Sequence, residues 1–117
     1  MFHAITSFSL QPSQQIKRIN NLHRLFGSAI VRVLFADLCG DKKHLLEEYE
    51  GAGIPWIEDK LSNCQQGVDL GLDGYLMMHQ YNYRDALDMD SRITPVANWK
   101  EITEKVVPTR RNLLTNL

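Results

Sequence analysis

Four short apolar runs, the first three each followed by residues at helical spacing, are the feature that most restricts what this chain can fold into. They are residues 2–8 (Phe-His-Ala-Ile-Thr-Ser-Phe), 29–36 (Ala-Ile-Val-Arg-Val-Leu-Phe-Ala), 54–58 (Ile-Pro-Trp-Ile-Glu) and 74–78 (Gly-Tyr-Leu-Met-Met). The second is β-branched and nearly unbroken, which predicts a strand covered on both faces. Between the first two runs, Ile16, Ile19, Leu22 and Phe26 repeat at helical spacing, with Ser13 as the predicted N-cap and Gly27 as the stop. A short helix is predicted from Lys42 to Glu50 on Leu45, Leu46 and Tyr49, and another from Lys60 to Leu70 on Leu61, Cys64 and Val68. After the fourth run come a polar loop to Arg92 and a brief extended piece at 93–96. A last helix then follows, with Asn98 and Glu101 at capping-box spacing and Trp99, Ile102 and Val106 on one face. Pro108 ends it and leaves a tail, 108–117.

Strand alternating with helix predicts an α/β fold with a mostly parallel sheet and helices on both faces. At 117 residues there is room for a single domain, expected over 1–107. Thirteen Lys and Arg against fourteen Asp and Glu give a net charge of −1, so no basic field exists to grip a nucleic-acid backbone. No apolar run is long enough for a membrane span and the first residues lack a signal pattern, so a cytoplasmic protein is expected, with neither membrane nor nucleic acid as partner. Cys39 and Cys64 match no zinc or disulfide framework, and His3, His23, His44 and His79 have no zinc spacing.

In parallel sheets the chemistry gathers at the carboxyl ends of the strands. Those ends carry Thr6 and Ser7, then Asp37 to Lys43, then Glu58-Asp59, then His79 to Asn82. Adjacent carboxylates such as Glu58 and Asp59 suit Mg²⁺, which keeps several waters and takes one or two carboxylates; an exposed turn at a helix start is the plainer account of the same pair. Lys42 opposes the dipole of the helix it begins, as a phosphate-binding ammonium does, although a solvated surface pair with Lys43 has the same letters. Thr6 and Ser7 offer hydroxyls to a phosphoryl oxygen, or are ordinary strand-end residues.

Taken together, these ends resemble the later part of the haloacid dehalogenase (HAD) superfamily, most of all small phage-type and bacterial 5′(3′)-deoxyribonucleotidase-like phosphatases. The stretch Gly53-Ile-Pro-Trp-Ile-Glu-Asp-Lys-Leu-Ser-Asn-Cys-Gln-Gln-Gly-Val-Asp-Leu-Gly-Leu-Asp-Gly-Tyr-Leu-Met77, with Tyr81-Asn82 after it, is similar to the fourth motif of that family. Gly40-Asp-Lys-Lys-His-Leu-Leu-Glu-Glu-Tyr49 resembles the third motif and Ile5-Thr6-Ser7 the second, so the likeness covers roughly residues 2–103.

The resemblance implies a Rossmann-like three-layer fold. It implies that Thr6 or Ser7 holds a phosphoryl group, that Lys42 neutralises it, that Asp59 with Glu58 binds Mg²⁺, and that Asn63 orients the acidic loop. The implied ligand is a phosphorylated small molecule such as a nucleotide. The family's first motif, a central strand ending in Asp-x-Asp whose first Asp is the nucleophile, has no counterpart before Phe2, so a truncated, inactive phosphohydrolase is expected. Asp37-Leu-Cys-Gly-Asp41 and Asp88-Met-Asp90 are the stretches from which a substitute nucleophile would come. Without the central strand, a four-stranded sheet of order 29–36, 2–8, 54–58, 74–78 is expected, or a homodimer that covers the gap. A non-catalytic interaction module on the same scaffold, using Tyr75, Tyr81 and Tyr83, is the alternative.

Overall fold

The computed structural model describes residues 2–7, 11–36 and 42–106. The predicted loop 37–41, with Asp37 and Cys39, and the predicted tail 108–117 lie outside them. The architecture is α/β with parallel strands, in two compact units, 1–48 and 49–117. Among the described residues no helix is long and apolar enough to cross a membrane.

The first unit holds strand β1 (Phe2–Ser7), helix α1 (Pro12–Phe26), strand β2 (Ile30–Ala36) and the short helix α2 (Lys43–Leu46). Parallel neighbours need a long crossover, and α1 supplies it. β1 and β2 pair from His3 opposite Arg32 to Ser7 opposite Ala36. The start of α1 corrects the expected cap. Gln11, not Ser13, is the N-cap, because Pro12 takes the first helical position, where a missing N–H costs nothing. The carbonyl of Gln11 accepts from the N–H of Gln14 and Gln15 at 3.1 and 3.0 Å. Gly27 stops the helix at φ 58°, a conformation side chains resist, and its N–H bonds the His23 carbonyl.

The expectation that β2 is covered on both faces is also corrected. Ile30 and Ala36 are buried at its ends, but Val31 is 49% exposed, and exposed Arg32 pairs with Glu48 at 2.7 Å. A two-stranded ladder is too narrow to bury a whole strand or the full stripe of α1, none of whose residues is buried.

The second unit holds β3 (Pro55–Glu58), α3 (Leu61–Asp69), β4 (Asp73–Met77), β5 (Ile93–Val96) and a further helix, α4, over residues 99–106. Its sheet runs β3-β4-β5, all parallel, with Pro55 opposite Asp73 and Gly74 opposite Ile93. β4 shows why the layers form. Its alternate residues face opposite ways. Leu76 packs with Cys64 and Val68 of α3 and with Ile93, while Met77 packs with Val96 and with Ile102 of α4. Ile57, Tyr75 and Val106 complete the second cluster. Trp99, expected on the same helix face, is 55% exposed.

The ladders therefore correct the expected sheet. Strands 29–36 and 2–8 are neighbours, as are 54–58 and 74–78, but they belong to two separate sheets. A ladder between 2–8 and 54–58 is not among those of the described residues, and the brief piece 93–96 is a full third strand beside β4. Four residues including Pro95 are too few to show a period, yet Ile93 and Val96 are both buried, one in each core cluster.

Candidate functional site

The three parallel strands of the second sheet end on one edge, and the acid pair Glu58-Asp59 and the turn 79–82 lie there. β3 delivers Glu58 and Asp59. Glu58 is buried, and its Oε1 accepts from the N–H of Asp59 at 3.0 Å and of Lys60 at 3.3 Å. A buried carboxylate needs such donors, because an unpaired one is expensive to take from water. Lys60 is the N-cap of α3, so the Glu58 carboxylate sits at the start of that helix, where negative charge is favoured. Its charge is felt by Cys64, whose thiol is pushed up to about 12, first by burial and then by Glu58. That thiol is correspondingly inert.

Asp59 faces the other way in its exposure: it is open to solvent, and its Oδ2 accepts from the Tyr81 hydroxyl at 2.6 Å. Tyr81 is pushed up to about 12, chiefly by that hydrogen bond, then by burial and by the charges of Asp59 and Glu58. Its ring stacks on His79 at 5.2 Å and 11°.

Behind them is Asn82, 2% exposed. Its Nδ2 donates to the carbonyl of Asp59 at 2.8 Å and to that of Met77 at 2.9 Å. Its Oδ1 accepts from the N–H of His79 at 2.6 Å, and its own N–H returns to the His79 carbonyl at 3.2 Å. One amide thus closes the turn 79–82 and ties the end of β3 to the end of β4. Sequence reasoning had Tyr81-Asn82 as part of a resemblance and missed this clasp. The available signal was an Asn three residues past His79, a spacing at which Asx side chains close turns.

Asn63 is buried on α3, and its carbonyl accepts from Trp56 Nε1 at 3.0 Å. Here it seats the indole against the helix. Thr6, Ser7 and Lys42 belong to the first unit. Thr6 is half-buried at the end of β1, opposite Phe35, and Ser7 pairs with Ala36. Lys42 is buried at the head of α2, where its carbonyl accepts from the N–H of Leu45 and Leu46. Asp88 ends the 3-10 turn Tyr83–Asp88 and is exposed, not at a strand end.

No family model, curated protein or solved structure matches this chain.

Among the described residues, no three His, Cys, Asp or Glu side chains gather into a metal cage. Mg²⁺ does not require one, since water fills most of its octahedron. The donor set at the end of β3 is anionic and all oxygen, which fits that ion. Asp59 is the exposed carboxylate of the pair. Glu58 is committed through Oε1 to its own loop and acts as the anchor of Asp59.

Proposed function

We propose that this chain is a HAD-like phosphohydrolase module that keeps residues for Mg²⁺ and phosphate and lacks the aspartyl nucleophile, so that alone it binds without efficient turnover. The observation that supports this reading is the acidic exit of β3, held at the carboxyl edge of a parallel sheet by the Asn82 clasp. Ligands of α/β sheets bind at that edge. In this reading Asp59, steadied by Glu58, takes Mg²⁺. Thr6 or Ser7 and Lys42 take the phosphoryl group, and Asn63 supports the acidic loop through α3. A bound ion would supply positive charge at the end of β3, and a phosphorylated small molecule such as a nucleotide is the ligand class the resemblance implies. The HAD-type core arrangement is part of the same proposal.

The test is thermal. A ligand that binds only the folded state raises its melting temperature. Mg²⁺ is expected to raise that of the wild type and to leave Asp59→Asn unmoved; a wild type indifferent to Mg²⁺ sinks the reading. With p-nitrophenyl phosphate and Mg²⁺, no turnover is expected. Turnover lost in Asp37→Asn or Asp88→Asn would instead show a replacement nucleophile.

The second reading is a non-catalytic interaction module. Tyr81, Tyr83, Leu87 and Trp99 of the second unit are each more than half exposed, which favours it. A strictly monomeric chain in sedimentation, with no binding of an apolar dye, counts against that module.

A further inference from the structure

The balanced net charge of this chain conceals a division along it. All fourteen Asp and Glu lie from Asp37 onward, whereas Lys17, Arg18, Arg24 and Arg32 precede it. Arg32 is paired with Glu48 at 2.7 Å, and the other three cations are on α1, which has no acid. Lys17 and Arg24 are both exposed and two helical turns apart, so they share one face. The helix dipole accounts for Arg24 in the last turn. It also favours acids in the first turn, and there are none.

The end of α1 is where the first unit leaves apolar surface open. The helix stops at Phe26 and β2 starts at Ile30, which pairs with Phe2 of β1. The carboxyl end of the helix and the amino ends of both strands therefore share one end of the ladder. Leu25 is 62% and Phe26 44% exposed there, and Val31, one residue into β2, is half exposed.

We propose that this end of the first unit docks on a membrane surface rich in anionic lipid. Leu25, Phe26 and Val31 enter the headgroup boundary, and the cations of α1 face the acidic headgroups. Charge complementarity selects this occupant. A basic helix with exposed apolar residues is held at such a surface by both terms together. A nucleic-acid backbone would match the cations and leave the apolar end in water. The lack of a long apolar run bears on crossing a bilayer, not on lying against one. Thr6 and Ser7, paired with Phe35 and Ala36, are at the opposite end of the ladder, away from the membrane.

The test is co-sedimentation of the full chain with vesicles of phosphatidylcholine alone, or with about one third phosphatidylserine. Binding is expected to the mixed vesicles only, and to fall away at high salt. Leu25→Asp is expected to bind about tenfold more weakly, the scale of one leucine kept in water. Lys17→Gln with Arg24→Gln is expected to lose about tenfold or more. These side chains are exposed, so the variants keep the fold, which backbone dichroism checks. Leu87→Ala, on the exposed surface of the second unit, is expected to bind as wild type. No binding to mixed vesicles, equal binding to neutral ones, or folded Leu25 and Lys17/Arg24 variants that bind as wild type overturns the proposal. So does a loss in Leu87→Ala equal to that in Leu25→Asp. A dimer that Leu25→Asp dissolves, with no vesicle binding, gives the apolar end to a second copy and overturns the membrane.

Discussion

Asn82 carries more of the site's geometry than either acid. Replacing it with Ala would leave two carbonyls, of Asp59 and Met77, and the N–H of His79 without their partners. Buried polar groups left unpaired cost about 1–3 kcal/mol each, softened here where water can enter. Asn82→Ala is expected to lose about 2–4 kcal/mol in urea unfolding, at the high end for a point substitution. Asn82→Asp keeps an oxygen for His79 but turns a buried carboxylate oxygen toward the Asp59 and Met77 carbonyls, so it should cost at least as much as Ala at pH 7. At this scale the sequence was half legible. Glu58, Asp59 and their place at a strand end followed from residue type and order. Which acid turns inward did not, since that depends on the amides of Asp59 and Lys60 and on the direction of the chain entering α3. The Tyr81 contact spans twenty-two positions and no local pattern announces it.

At the scale of elements, α3 lies close on β3 because Gly67 has no side chain. A Cβ there would stand 2.3 Å from Trp56 Cδ1, far inside contact distance. Trp56 is bonded through Nε1 to the Asn63 carbonyl one turn earlier, so the indole cannot yield without losing that bond. Gly67→Ala is expected to destabilise the second unit by about 1–3 kcal/mol, the usual cost of overpacking, and to shift tryptophan emission. Elements were legible where local chemistry decides them. The last helix starts as predicted: the N–H of Glu101 donates to Asn98 Oδ1 at 2.9 Å, and Glu101 Oε2 accepts from the N–H of Ala97 at 2.8 Å. The start of α1 was not legible, because Ser13 and Pro12 both signal a helix start and differ only in where they put it. β5 was read only as a fragment, since its strand character comes from pairing with β4 and from two cores that meet on it.

For the molecule as a whole, one ion network ties distant parts of the second unit's chain. Arg92 donates to Asp69 Oδ1 at 2.7 Å, to Asp90 Oδ2 at 2.7 Å and to the Val68 carbonyl at 3.2 Å, joining the end of α3 to the start of β5. Gln65 donates to both acids. The Arg92 guanidinium holds both carboxyls below the ordinary carboxylate range, with Gln65 adding to it. A depressed folded pKa contributes stability above the unfolded value, near 4, and that contribution is lost as pH falls through the lower folded values. Arg92→Gln is therefore expected to melt earlier than wild type at pH 7, and the gap should narrow as pH drops below about 4. Because the pairs are exposed, salt should narrow it too. The overall sheet was the least legible feature. Periodicity yields strands and their direction, whereas the pairing of one strand with another is decided by contacts far apart along the chain.

The Trp56 indole, wedged over Gly67, has a practical corollary. Both tryptophans of this protein, Trp56 and Trp99, fall within 49–117, and 1–48 has none. Native emission is thus a private signal of one half of the polypeptide, silent about the other, while backbone dichroism sums over both. Where the two optical curves diverge on heating, the halves come apart at different temperatures; where they coincide, the halves melt at the same one.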